Sequence, residues 1–204
     1  MKYFSLILVF LLLSCGNKES ILLPKSNVTI VSDVVDHSPI YIFFRTKSKD
    51  TLAEVNRKNS IISTNWILNV DKRLPLRIAI PEIMKLQQKK REEKAHKNEK
   101  AENYYSYADS IHKNLAFISF TNVYYKLEKP KSGIVVFFTK KNEIFIDGTL
   151  GSREELEQFL TSLPEDKPRK IRFRFDANMN YGNYIQNEIF IQSLKIKNNE
   201  EFIF

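Results

Sequence analysis

With 204 residues, 43% hydrophobic and 12% aromatic, the chain has the composition of a folded protein with a sizeable core, which excludes the disordered class. Only 5 glycines and 7 prolines exclude a fibrous or loop-dominated chain, and a single cysteine excludes an internal disulfide. The formal charge of +8 is compatible with polyanionic partners, but no RNA-binding aromatic motif, paired-cysteine zinc motif or recognition helix accompanies it, so nucleic acid is not an expected partner.

Met1-Lys2 is a short basic start, and Tyr3 to Leu13 is apolar apart from Ser5. At 1.5 Å per residue this run covers about half of a ~30 Å hydrocarbon core, so it reads as the apolar part of a secretory signal rather than a spanning helix. It ends Leu12-Leu13-Ser14-Cys15-Gly16, which resembles the lipobox of bacterial lipoproteins. That resemblance implies a signal peptide at 1–14 and lipid attachment at Cys15. It also implies a lipid-anchored place in the cell envelope, facing the periplasm, with each buried acyl methylene contributing ~0.8 kcal/mol. Gly16 stands where an aspartate would retain a lipoprotein in the inner membrane, a weak lean towards the outer one that leaves the choice open. Residues 15–27 read as a polar tether.

The next unit, 28–115, reads as an N-terminal α/β lobe. Val28 to Val35 is β-branched, and Ile40-Tyr41-Ile42-Phe43-Phe44 is a buried-strand signal. Thr51 to Val55 reads as a second strand and Thr64 to Val70 as a short strand or helical piece. Leu76 to Ile80 alternates like a further strand, and Pro81 is placed to open a helix. The charged stretch Glu82 to Glu102, with Glu93 and Lys97 at i,i+4, extends that helix, as a solvated connector or as a basic face. Tyr104, Ala108, Ile111 and Leu115 continue it as an apolar stripe at spacings of 4, 3 and 4. Ala116 to Leu127 then reads as one strand and opens a second unit, 116–204.

Enzyme motifs are weak. Ser110-Ile111-His112-Lys113 fits S-x-x-K, and Lys131-Ser132-Gly133 fits the K-[ST]-G of penicillin-binding enzymes. The interval between them is far too short for the domain those enzymes place there, so no catalytic residues are assigned. His37, His96 and His112 lack metal-ligand spacing, and Asp33 and Asp36 read as turn residues, so neither metal nor cofactor is expected.

The C-terminal stretch is the most ordered pattern. Ile134 to Phe138 and Glu143 to Gly148 read as two strands. Ser152-Arg153-Glu154-Glu155 is a capping box ahead of Leu156, Phe159, Leu160 and Leu163 on one helical face. Lys170 to Asp176 alternates as a half-buried strand, Tyr181 to Lys197 reads as a final helix, and Phe202-Ile203-Phe204 as an edge strand. The order is β-β-α-β-α-β, an α+β fold. The run Ile134 to Phe138 matches Ile40 to Phe44, with Thr-Lys after each and Arg45 as one extra residue in the first copy, and Leu76 to Ile80 alternates as Lys170 to Phe175 does. Two readings stay open: the first half is a degenerate copy of the second, or the short β-branched runs resemble each other by chance.

Ile144-Phe145-Ile146-Asp147-Gly148, Ser152 to Leu156, Arg172 to Asp176 and Asn180-Tyr181-Gly182 resemble, in this order, the periplasmic domain of the ExbD/TolR family. The resemblance implies a non-catalytic biopolymer-transport component. Its partners would be an ExbB/TolQ-like channel and a TonB/TolA-like transducer, with Asp176, Tyr181 and Gly182 as candidate interaction residues. The family's spanning helix, with its proton-relaying aspartate, has no counterpart, so the chain is expected to be a tethered partner of such a motor. A homodimer is expected through strand edges around Ile134 and Phe204. The alternative is a lipoprotein module that binds peptidoglycan or another envelope glycan through its basic excess.

Overall fold

The computed structural model describes residues 20–95, 97–163, 170–196 and 199–204. Among them are three helices and two six-stranded mixed sheets, an α+β architecture. The signal segment 1–14, Cys15, His96 and Lys197 lie outside the described residues.

The first sheet holds β1 (Lys25–Ser26), β2 (His37–Lys47), β3 (Asp50–Asn56), β4 (Asn65–Val70), β5 (Asn103–Asp109) and β6 (Leu115–Ser119). The helix α1 (Leu76–Glu92) crosses from β4 to β5. β2 and β3 form an antiparallel hairpin, turned at Ser48 with φ 58°. β2, β4 and β5 run parallel, and β6 returns antiparallel to β5. β1 pairs with β5 at Ala108 and Asp109, past the end of β4.

The second sheet holds β7 (Tyr124–Lys126), β8 (Ile134–Phe138), β9 (Ile144–Ile146), β10 (Thr149–Gly151), β11 (Ile171–Phe175) and β12 (Glu200–Ile203). Two helices pack on it, α2 (Arg153–Thr161) and α3 (Tyr181–Ser193). Its strand order is β10-β9-β8-β11-β12-β7, with β8, β11 and β12 parallel. The capping box opens α2 as the spacing requires: Ser152 Oγ accepts from the Glu155 amide at 3.1 Å, and Glu155 Oε2 from the Ser152 amide at 2.7 Å.

Strand order relates the two lobes. β3-β2-β4-β5 in the first matches β9-β8-β11-β12 in the second, with a hairpin at one side and a crossover helix after the central strand, while the next strands differ, β6 antiparallel to β5 and β7 parallel to β12. Ile40 to Phe44 and Ile134 to Phe138 take the same place in the two sheets. Across the junction the lobes meet through reciprocal main-chain bonds. Leu76 N donates to Met179 O at 2.9 Å and Tyr181 N to Leu74 O at 2.8 Å. Arg77 N donates to Ala177 O at 2.8 Å and Gly182 N to Lys72 O at 3.0 Å, around the bridge Pro75–Asn180. This is the contact pattern of a two-fold dimer, in which one patch pairs with its own counterpart, realised inside one chain. A single apolar cluster, from Ile40 and Trp66 to Phe173 and Ile189, runs through both lobes.

Several expectations give way. Leu76 to Ile80 belongs to α1, and the strand facing the place of β11 is β4. Leu76, Ala79, Ile80, Ile83 and Leu86 are buried, and this helical spacing prevails over the alternation with Pro81 inside the helix. α1 stops at Glu92, so the charged stretch is not one helix through Glu102. Tyr104 and Ala108 lie on β5, where Tyr105 and Tyr107 turn into the core, so the apolar stripe through Ile111 and Leu115 is not helical. Ala116 to Leu127 is not one strand but divides between β6 and β7 on different sheets. Val28 to Val35 forms no strand beyond the bridge Val31–Phe117, and within it Val31 and Val34 pack with Ile67 and Phe117. Within the expected tether, Lys25 and Ser26 form β1, and Leu22 O accepts from Lys72 N at 2.7 Å. Ile134 and the last strand are not edges, since β8 lies between β9 and β11 and β12 between β11 and β7.

Candidate functional site

The buried chemistry collects where the lobes meet. Tyr181, Tyr184 and Glu188 follow one another at helical spacing along α3, and all three are buried. Glu201 stands on β12 opposite Phe173 and Tyr125, so strand alternation turns it inward, where it is fully buried. Tyr105 on β5 hydrogen-bonds Tyr125 on β7, hydroxyl to hydroxyl at 2.6 Å, and Tyr125 bonds Tyr184 at 3.1 Å. Tyr184 Oη then donates to Glu201 Oε2 at 2.7 Å. Tyr105 also stacks on Phe120 and meets Tyr181 edge-on at 5.6 Å between centroids.

Glu188 and Glu201 are hydrogen-bonded to each other, and among the described residues no cation lines the cleft beside them. Burial pushes both carboxyls up, Glu201 to about 7, and Glu188 well above the usual range through the added repulsion of Glu201. The pair therefore keeps a proton at neutral pH, with Glu188 as the donor to Glu201. Both residues line a cleft of about 330 Å³ bordered by the linker Phe120–Val123, and Glu188 Oε1 has no hydrogen-bond partner among the described residues. Such an arrangement can hold and release a proton. Among the described residues no group of three or more histidine, cysteine or acidic side chains converges on a metal-sized site.

The residues singled out from the sequence are dispersed. Asp176 Oδ1 accepts from the Asn178 amide at 2.8 Å, and Asp71 Oδ1 from the Arg73 amide at 3.0 Å. Both aspartates shape the turn that delivers the reciprocal main-chain bonds. Burial draws the Asp71 carboxyl up, but its bonds from Arg73 and Leu22 outweigh this and hold it below the ordinary value. Tyr181 is fully buried, and Gly182 lies so close to Lys72 that an added Cβ would meet the Lys72 Cβ at 3.2 Å. Tyr181 and Gly182 thus face the other lobe. Ser110, His112 and Lys113 sit in the β5–β6 turn, and Lys131, Ser132 and Gly133 precede β8 on the other sheet. His112 Nδ1 lies 2.6 Å from Asp109 Oδ2. Hydrogen bonds from Thr29 and then His112 hold the buried Asp109 carboxyl well below its ordinary value. His37 Nδ1 bonds Val34 O at 2.6 Å, while Asp33 and Asp36 are exposed, Asp36 at φ 45°.

Part of the expected basic face of α1 turns inward. Lys90 Nζ donates to Thr64 O at 2.9 Å and Glu102 O at 3.1 Å, over the Trp66 ring, and burial lowers its pKa to about 8. Glu188, Glu201 and the tyrosine network escape sequence reading, because a glutamate on a helix or strand looks solvated until its neighbours are placed. Comparison with protein-family models, with curated proteins and with solved structures finds no match.

Proposed function

We propose that the chain is a non-catalytic, lipid-anchored protein of the bacterial cell envelope. In this reading it carries two ExbD/TolR-like modules and binds components of a TonB/Tol-like energy-transducing system. The observation that carries the reading is the succession β8-β9-β10-α2-β11-α3-β12, whose order of elements, apart from the added β10, is the one the motif resemblance implies. The first lobe matches it without a helix between hairpin and central strand, which supports a degenerate copy. The reciprocal bonds at the junction support a built-in dimer, so one anchored chain would present what two copies otherwise assemble.

Affinity capture from mildly crosslinked, solubilised membranes tests this. Recovery of an ExbB/TolQ-like or TonB/TolA-like protein is the expected result, and recovery of peptidoglycan alone would transfer the assignment to the glycan-binding alternative. The anchor is tested separately. Cys15→Ser should abolish acylation and membrane retention, measured by metabolic lipid labelling and fractionation; unchanged labelling would end the lipoprotein reading.

A further inference from the structure

A second concavity crosses the lobe junction on the side of β1, away from the glutamate pair. It encloses about 440 Å³ and is lined from the first lobe by Lys25, Ser26 and Ser110, and from the second by Arg153, Phe190 and Ser193. Gln186 Nε2 donates to Lys25 O at 3.3 Å, closing one side across the junction. A neighbouring cavity of about 510 Å³ shares Lys25 and Ser110 and continues to Lys113 and Leu115. The S-x-x-K residues Ser110 and Lys113 therefore lie along one groove.

Charge in this groove is unbalanced. Arg153 and Lys25 are the charged residues of the first cavity, and among the described residues neither forms an ion pair. Glu154, next to Arg153 on α2, is exposed and does not line it. The one acid of the neighbouring cavity, Asp109, is occupied by Thr29, His112 and two main-chain amides. Arg153 is also positioned. Its Nη2 donates to Asn187 Oδ1 at 3.1 Å, and its guanidinium lies 4.8 Å from the Phe190 ring centroid. Asn187 is buried and in turn donates to Asn142 Oδ1 at 2.9 Å. An arginine held by a buried amide and an aromatic face has lost much of its side-chain entropy, so less is lost when it binds.

We propose that this groove binds a phosphate-bearing ligand, clasping it between the two lobes. An arginine fork, an ammonium and the hydroxyls of Ser26 and Ser110 exceed what the two oxygens of a carboxylate require and suit the tetrahedral oxygens of a phosphoryl group, while the Ser193 hydroxyl donates to Phe190 O at 2.6 Å. Phe190 and Leu115 offer apolar surface to whatever the phosphate is attached to, a free phosphate ester or a lipid headgroup. The site is independent of the transport-partner reading above.

The test uses the full chain with glycerol 3-phosphate and, in parallel, phosphatidylglycerol vesicles against phosphatidylcholine vesicles. Binding is read by calorimetry, co-sedimentation and thermal shift, with chloride matched for ionic strength. Saturable binding that raises the melting temperature is expected, weakened about tenfold or more by Arg153→Gln and by Lys25→Gln, as for loss of a charge-assisted bond. Lys49→Gln, in the exposed β2–β3 turn, should bind as the parent does. Unliganded melting of each variant establishes that it is folded. Binding of the ester identifies a soluble ligand, and Arg153-dependent binding of anionic vesicles alone identifies a headgroup. Absence of both, or equal binding by Arg153→Gln and Lys25→Gln, overturns the proposal.

Discussion

Glu188 and Glu201 are the residues whose chemistry departs furthest from the ordinary. An unfolded glutamate titrates near 4.5, whereas burial holds the proton on Glu201 to about 7 and keeps Glu188 well above its ordinary range. Between those limits the folded chain binds more protons than the unfolded one, so stability falls as pH rises from 4.5 through 7. Glu188→Gln keeps a donor to Glu201 and removes one ionisable group. Its melting temperature should vary less with pH and exceed that of the parent at pH 8. A profile parallel to the parent's from pH 5 to 8, followed by calorimetry, would show that the pair does not control stability.

Among the elements, α2 and α1 differ in how openly they announce themselves. The start of α2 is written in four consecutive residues, and the structure forms both bonds of its capping box. Ser152→Ala should lower stability by about 1 kcal/mol in denaturant unfolding, and no change would mean that α2 frays without cost to the fold. α1 carries two periodicities at once. Leu76, Ile78 and Ile80 fit a strand, while Leu76, Ala79, Ile80, Ile83 and Leu86 fit a helix. Pro75, in extended conformation, serves as N-cap, and the main-chain bonds of Leu76 and Arg77 to the second lobe fix where the helix begins. Tyr104 to Ala108 is the converse case. Its 4-3-4 spacing suggested a helix, but aromatic residues one apart pack better on a pleated sheet, and β4 and β6 supply partners on both sides.

At the scale of the whole molecule, the junction turns two small lobes into one cooperative body. Leu74 is fully buried there, and its carbonyl accepts from Tyr181. Leu74→Ala should cost about 2–5 kcal/mol, and unfolding should remain a single transition in which hydrogen exchange quickens in both sheets together. Two separate transitions, with exchange changed in the first sheet alone, would mean that the lobes are independent.

Sequence by itself determined the parts whose signals are local. The capping box of α2, the paired runs of β2 and β8 and the alternation of β11 all rest on neighbours within a few residues. Tertiary structure decided what depends on distant partners. It set α1 against a strand, placed β12 inside its sheet, and gave Asp176, Tyr181 and Gly182 to the junction. It also brought Tyr105, Tyr125, Tyr184, Glu188 and Glu201 into one hydrogen-bonded chain. The reason is physical: the cost of burying a carboxyl, and the partners that offset it, are set by residues far away in the chain but adjacent in the fold.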